Sequence, residues 1–161
     1  MVDIASLRER VLAALETVTD PEIPVLTIAD LGILRDVSVH DGIVEVTITP
    51  TYSGCPALRE IGADLRRRLA RAGYQRVDVR VELAPAWTTD WITAEGRRKL
   101  AAAGIAPPGG RDGSVLVPLA IRCPNCGSAD TSQLARFSAT ACKALYRCRA
   151  CLEPFEHVKE F

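Results

Sequence analysis

The sequence predicts an α+β chain: a small helix-covered three-stranded sheet, followed by a C-terminal ribbon stapled by a metal. Three observations carry this reading. Apolar residues switch between helical spacing and strict alternation along residues 4–103. Asp41-Gly42, a strong hairpin signal, separates two of the alternating runs. Two Cys-x-x-Cys pairs, Cys123/Cys126 and Cys148/Cys151, stand near the C-terminus with 21 residues between them.

The elements follow in order. Ile4, Leu7, Val11, Ala14, Leu15 and Val18 form a helical stripe, with Arg8, Glu9 and Glu16 off it. Asp20-Pro21 closes that helix, because the residue before a proline avoids the α region. Residues 33–40 and 43–50 alternate β-branched and polar side chains and read as two strands of a hairpin. Pro56 suits the first turn of a helix, and Leu58, Ile61, Leu65 and Leu69 mark its buried stripe. Gly73 stands where a helix C-terminal glycine belongs. Val77, Val79, Val81 and Leu83 alternate as a third strand, and a short helix is expected from about Thr93 to Ala103. Residues 104–114 are rich in glycine and proline and read as a connection. The expected organisation is a domain over 1–103, a linker over 104–118 and a ribbon over 119–161.

Composition narrows the class. Of 161 residues 48% are hydrophobic, enough for a buried core. Aromatic residues are 5%, too few for a base-stacking platform. Twenty Lys and Arg balance twenty Asp and Glu, so no net charge draws the chain to phosphate backbones or anionic lipid. The expectation is no nucleic acid, no membrane and a cytoplasmic location. In that compartment thiols stay reduced, and paired Cys-x-x-Cys motifs read as metal ligands before disulfides.

Each Cys-x-x-Cys turn sets two sulfurs on one side of a tight knuckle. Two knuckles supply four thiolates for one tetrahedral ion. Cys123, Cys126, Cys148 and Cys151 are therefore the expected metal ligands, with structural zinc as the first choice. A mononuclear iron centre and an iron–sulfur cluster are the other two readings of four thiolates. Strands are expected over 131–137, 144–147 and 155–161, with Leu134, Phe137, Leu145, Tyr146 and Phe155 as the main apolar residues. So small a core makes metal binding the source of the ribbon's folding free energy. Residues 119–161 carry six Lys or Arg against four Asp or Glu. A zinc tetrathiolate adds two negative charges, so the ribbon has no basic footprint for nucleic acid.

Cys55 stands alone in the first domain. With Pro56 as the first helical residue it would be the N-cap, at the positive end of the helix dipole with Arg59 one turn on. Both features favour a thiolate able to act as nucleophile or metal ligand. A small buried cysteine that only caps the helix is the second reading. Asp20, Glu22 and Asp30 lie in the preceding loop, either as turn formers or as acids that help hold a cation beside Cys55. Only two histidines, His40 and His157, are present, and neither is near Cys55 in sequence, so no Cys–His hydrolase is expected. Trp87 and Trp91, four residues apart, are expected to share one packed face. Cys142, outside both knuckles, reads as a packed thiol or a reactive one.

Asp20-Pro-Glu-Ile-Pro-Val25, Asp30-Leu-Gly-Ile33 and Thr51-Tyr-Ser-Gly-Cys-Pro56 resemble the signature of the metal–sulfur cluster assembly domain family, which includes the SufT-like factors. Ala86-Trp-Thr-Thr-Asp-Trp-Ile-Thr93, Thr140-Ala-Cys-Lys-Ala-Leu-Tyr-Arg-Cys148 and Cys151-Leu-Glu-Pro-Phe-Glu156 resemble the PaaD family of the phenylacetate-degradation system. The resemblance implies an accessory role, not a catalytic one. Such a factor would assist iron or iron–sulfur insertion into other subunits of the phenylacetyl-CoA ring epoxidase, above all its iron–sulfur flavin reductase. It also implies that Cys55 is the thiol that handles a transient iron or cluster, supported by Asp20, Glu22, Asp30 and Thr51. The chain has no Glu-x-x-His pair for a di-iron site and no glycine-rich nucleotide loop, so it is expected to be neither oxygenase nor reductase. An electron-transfer protein with an iron tetrathiolate and a purely structural adaptor are the alternatives. A homo-oligomer stays open.

Overall fold

The first helical stripe folds as α1 (Ile4–Leu15), which buries Val11 and Leu15. The expected helix ran to Val18. It stops three residues earlier because the Val18 amide donates to Leu15 O in a tight turn, while Val18 O accepts from Ile28. Val18 is thus still buried, but as part of a loop. β1 (Leu34–His40) and β2 (Ile43–Ile48) pair antiparallel across the turn at Asp41 and Gly42, both at positive φ (49° and 74°). Two positive φ values in succession are what a two-residue hairpin loop needs to match strand twist. α2 (Ala57–Arg71) then crosses over to β3 (Arg76–Val81), which pairs parallel with β2. A parallel pair requires such a crossover. The sheet order is β1-β2-β3. Ile61, Leu65 and Leu69 of α2 are fully buried, each contributing about 1.5–3 kcal/mol of transfer free energy. Gly73, at φ 96°, ends the helix by donating its amide to Ala70 O.

The computed structural model describes residues 4–109 and 120–160. The chain divides into two units, Met1–Trp87 and Thr88–Phe161. Trp87 closes the first, buried with its indole Nε1 donating to Leu31 O at 2.8 Å. Trp91 ends a 3-10 turn (Thr89–Trp91) of the second unit, so the two tryptophans, expected from their spacing to share one face, fall in different units.

The second unit continues with α3 (Ala94–Ala102), capped by Thr93 Oγ1, which accepts from the Gly96 amide at 3.0 Å. Four strands follow: β4 (Ile105–Ala106), β5 (Thr131–Ala135), β6 (Lys143–Cys148) and β7 (Pro154–Val158). They form one sheet in the order β4-β7-β6-β5, antiparallel except for β4 against β7. The sequence placed a boundary at residue 103 and a linker over 104–118. Ile105 and Ala106 are instead paired strand residues of the ribbon's own sheet, and residues 110–118 lie outside the described residues. The core gathers Ala106, Cys123, Cys148 and Phe155, with Ile121 and Tyr146 packed on it. Leu134 of β5 and Phe137, two residues beyond its end, were expected in this core and are more than half exposed. His157 is buried, edge-on to Tyr146, and its Nδ1 proton is donated to Ala106 O at 3.1 Å, tying β7 to β4. Among the described residues no helix is long and apolar enough to cross a membrane.

Candidate metal centre and the Cys55 loop

The two knuckles meet because β6 ends at Cys148 and the chain must reverse into β7 within a few residues. Leu152, at φ 67°, makes that reversal, and the Cys148 amide donates to Glu153 O at 3.0 Å. The first knuckle is built the same way: Gly127, at φ 75°, donates to Cys123 O, and Cys123 donates to Ser128 O. The four sulfurs of Cys123, Cys126, Cys148 and Cys151 all lie within 4.8 Å of one another. Cys123 and Cys151 are 3.7 Å apart, Cys126 and Cys148 3.6 Å. A disulfide needs about 2.05 Å, so none is formed. A tetrahedron with metal–sulfur bonds of about 2.3 Å has edges of about 3.8 Å, and the cage fits a single ion of that kind.

Backbone and side-chain N–H groups point at the sulfurs. Asn125 Nδ2 donates to Cys151 Sγ at 3.7 Å, and the Cys151 amide to Cys148 Sγ at 3.5 Å. The Glu153 amide and then the Asn125 side chain hold the Cys151 thiol down at about 6. Cys126 shows the opposite: despite the Ser128 amide, its crowding against Cys148, Cys151 and Cys123 pushes it up to about 12. Four thiols this close cannot all ionise without a cation between them. Asn125 was not singled out by sequence. Its place inside the Cys-Pro-Asn-Cys knuckle is the only signal that marks it.

Cys55 lies in the first unit, where β2 hands over to α2. It is 7% exposed. Pro56, at φ −68° and ψ −23°, takes the N-cap position expected for Cys55, which moves one residue outward. The Cys55 sulfur still accepts from the Ala57 amide. Helix dipole and Arg59 predict a lowered pKa; the structure gives a raised one. Burial is the main cause, only partly offset by the Ala57 amide, and the Glu22 and Asp20 carboxylates push it further up. Thr51 donates its hydroxyl to the sulfur and works the other way. Arg59 faces a groove between α2 and β3 instead.

Three of the four supporting residues therefore converge on Cys55: Asp20, Glu22 and Thr51. Asp20, 3% exposed, is held by its own turn, with Oδ1 accepting from the Glu22 and Ile23 amides at 2.7 and 2.9 Å. Tyr52 Oη reaches Glu22 at 3.5 Å. Asp30 serves a different turn, where its carboxylate accepts from the Thr27 amide and Thr27 Oγ1 accepts from the Asp30 amide, both at 3.0 Å. Cys142 is buried beside Thr140 Oγ1 at 3.2 Å, a packed thiol.

Comparison with known proteins agrees with this two-part build. A family model described as iron-sulfur cluster assembly protein matches residues 8–83, and one described as PaaD zinc beta ribbon domain matches residues 111–159. A "Putative 1,2-phenylacetyl-CoA epoxidase" subunit of Escherichia coli (strain K12) is 47% identical over 148 residues, 91% of this chain and 89% of that protein. An "Fe-S protein maturation auxiliary factor" of Porphyromonas gingivalis is 37% identical over 94 residues, 57% of this chain and 89% of its own. The crystal structure of a domain of unknown function, DUF59, from Bacillus anthracis superposes with a TM-score of 0.55 at 26% identity, over 60% of this chain and 92% of that one. The chain belongs to the PaaD family, in which an iron–sulfur cluster assembly domain and a PaaD zinc β-ribbon are carried on one polypeptide.

Proposed function

We propose that this chain is a non-catalytic accessory factor that helps load iron or an iron–sulfur cluster into partner subunits of a phenylacetyl-CoA epoxidase system, above all an iron–sulfur flavin reductase. One observation carries the reading. In a domain of the iron–sulfur assembly type, a single buried thiol, Cys55, accepts from the Thr51 hydroxyl and feels the negative charge of Glu22 and Asp20. Glu22 and Asp20 keep the proton on Cys55 by opposing its negative charge. The same two charges favour a cation that replaces the proton. Ferrous iron, as cargo, would bind the sulfur as the thiol proton leaves to water, and the carboxylates would offset the added positive charge. Such a site holds cargo without activating the thiol for nucleophilic attack, which fits a carrier better than an enzyme.

The ribbon takes the structural part, with zinc as its ion. Sulfurs on a multi-iron cluster bind different irons, whereas these four all lie within 4.8 Å of one another and suit one shared ion. Zinc supplies a redox-inert crosslink and the folding free energy of a thin sheet.

The test is reconstitution of the client reductase with this protein, without it, and with Cys55→Ser. Higher cluster content only with the unaltered chain is the expected result; equal content in all three overturns the proposal. Activity that survives Cys55→Ser but not disruption of the ribbon would make the chain a structural adaptor. Metal analysis decides the ribbon: one zinc per chain in a colourless protein is expected. A red protein that bleaches on reduction would make it an electron-transfer iron centre.

A further inference from the structure

The two edges of the first sheet are treated differently. Along β1 the edge is covered: Arg8 of α1 donates its Nε to Val37 O at 2.9 Å, and a register irregularity interrupts β1 between Leu34 and Asp36. Such devices stop strand addition. β3 is the other terminal strand, and it carries neither. Its six pairs with β2 are regular, and it contains no proline. Val81 is 50% exposed and Leu83 70%.

The backbone of β3 fixes which groups face outward. Glu82 donates its amide to Ile48 O of β2 at 2.9 Å, so the even-numbered residues turn their N–H and C=O toward β2. By the period of two, Val77, Val79 and Val81 turn theirs to the open edge. Their side chains lie on the α2 side of the sheet, where Val79 and Val81 join Ile48 and Leu58 in lining a groove. Arg76, Asp78, Arg80 and Glu82 occupy the opposite face.

We infer that β3 pairs antiparallel with β3 of a second copy of this chain, giving a continuous six-stranded sheet with its two-fold axis at Val79. Charge complementarity selects this occupant and this register. An antiparallel pair must match outward-facing residues with outward-facing residues. With Val79 opposite Val79, Val77 faces Val81, Asp78 faces Arg80, and Arg76 faces Glu82 of the second copy. Every charge meets its opposite. One step to either side sets Asp78 against Asp78 and Arg76 against Arg80, or Arg80 against Arg80 and Asp78 against Glu82. Like charges directly opposite are destabilising. Arg76 and Glu82 make no side-chain hydrogen bond or ion pair among the described residues, while Arg80 already spans Asp78 and Glu45 at 3.1 and 2.7 Å.

The zinc-loaded chain of both units tests this by sedimentation over a range of concentrations. The unaltered protein is expected to associate as a dimer. Arg76→Glu and Glu82→Arg, both at exposed positions, are each expected to weaken it roughly tenfold or more, since two pairs per dimer turn repulsive. The double variant restores both pairs and is expected to recover the dimer. Hydrogen exchange locates the contact: the amides of Val77, Val79 and Val81 are expected to be protected at dimer concentrations and to exchange fast on dilution. A monomer at every concentration overturns the inference, as does a dimer indifferent to the charge swaps or one that leaves those three amides unprotected. Protection of the same amides only in a complex of one copy with a segment of another polypeptide overturns it too, and gives the edge to that partner.

Discussion

At Cys55 burial and neighbouring charge push the thiol the same way, and the helix N-terminus does not offset them. The thiol therefore stays protonated through neutral pH, and its alkylation by iodoacetamide should rise only above the ordinary value of 9.0. Glu22→Gln removes one of the two opposing carboxylates. The midpoint of the alkylation profile should move down and the rate at neutral pH should increase several-fold. An unchanged profile would mean that Glu22 does not act on the sulfur. The sign for stability follows from linkage. Above its ordinary pKa the thiol ionises in the unfolded chain while the folded chain keeps its proton, so the first unit should lose stability as pH rises through that range. Cys55→Ser should flatten this loss, as read by denaturation at pH 8 and pH 10. The sequence placed Cys55 beside a helix start correctly, because proline chemistry is local. Its ionisation was not legible, because burial depends on how α2 packs onto the sheet. That Cys123, Cys126, Cys148 and Cys151 come together was legible, since a Cys-x-x-Cys knuckle is itself a local structure.

Within the ribbon, the register of β6 against β7 creates an ion pair that no sequence motif announces. Lys143 is 6% exposed, and its Nζ donates to Glu156 at 2.7 Å. Ser138 Oγ donates to the other carboxylate oxygen. Burial alone would raise the Glu156 pKa, but Lys143 and Ser138 overcome it and hold the carboxyl below its usual range. Lys143 lies opposite Val158 and Glu156 opposite Leu145, so the charges meet on the diagonal. A one-residue slip would move one of them to the other face. The sequence shows two ordinary charges 13 residues apart, and the register that joins them is set by the Cys148–Cys151 reversal. Glu156→Gln should leave a buried ammonium without its counter-charge. The expected cost is about 2–3 kcal/mol, less than for a fully buried pair because Glu156 is partly exposed. Lys143→Met combined with Glu156→Leu removes both charges and should cost less than the single change. Chemical denaturation of the metal-loaded proteins measures both. If the double variant is the less stable one, the pair is a net source of stability. The strand β4 was missed for a different reason: two residues, Ile105 and Ala106, between a glycine and two prolines give no periodicity to read.

At the scale of the whole chain, the two units draw on different sources of stability. The first buries Leu15, Leu26, Ile28, Leu31, Ile33, Ile48, Ile61, Leu65 and Leu69 almost completely, a core that needs no ion to form. The second also buries Ile92, Leu100 and Val158, but the core cluster of its ribbon gathers two of the four expected metal ligands, Cys123 and Cys148, around Ala106 and Phe155. Removing the ion thus does more than empty a surface site. It leaves four crowded thiols, Cys123 and Cys148 buried among them, with Cys126 pushed up to about 12 and Cys151 down to about 6. Metal binding and folding are then one equilibrium. A strong chelator, or Cys148→Ser, should abolish amide protection in β5, β6 and β7. The sequence alone put the edge of this melting region at residue 119. The sheet order moves it earlier, because β4 is hydrogen-bonded to β7 and His157 donates to Ala106 O. Protection at Ile105 and Ala106 should therefore vanish together with the ribbon, while α2 and β1–β3 keep theirs. Hydrogen exchange on the chelated protein separates the outcomes. Retained protection at Ile105 and Ala106 would mean that β4 does not depend on the ribbon sheet. Loss in β1–β3 as well would mean that both units unfold as one cooperative body, held together by the ion.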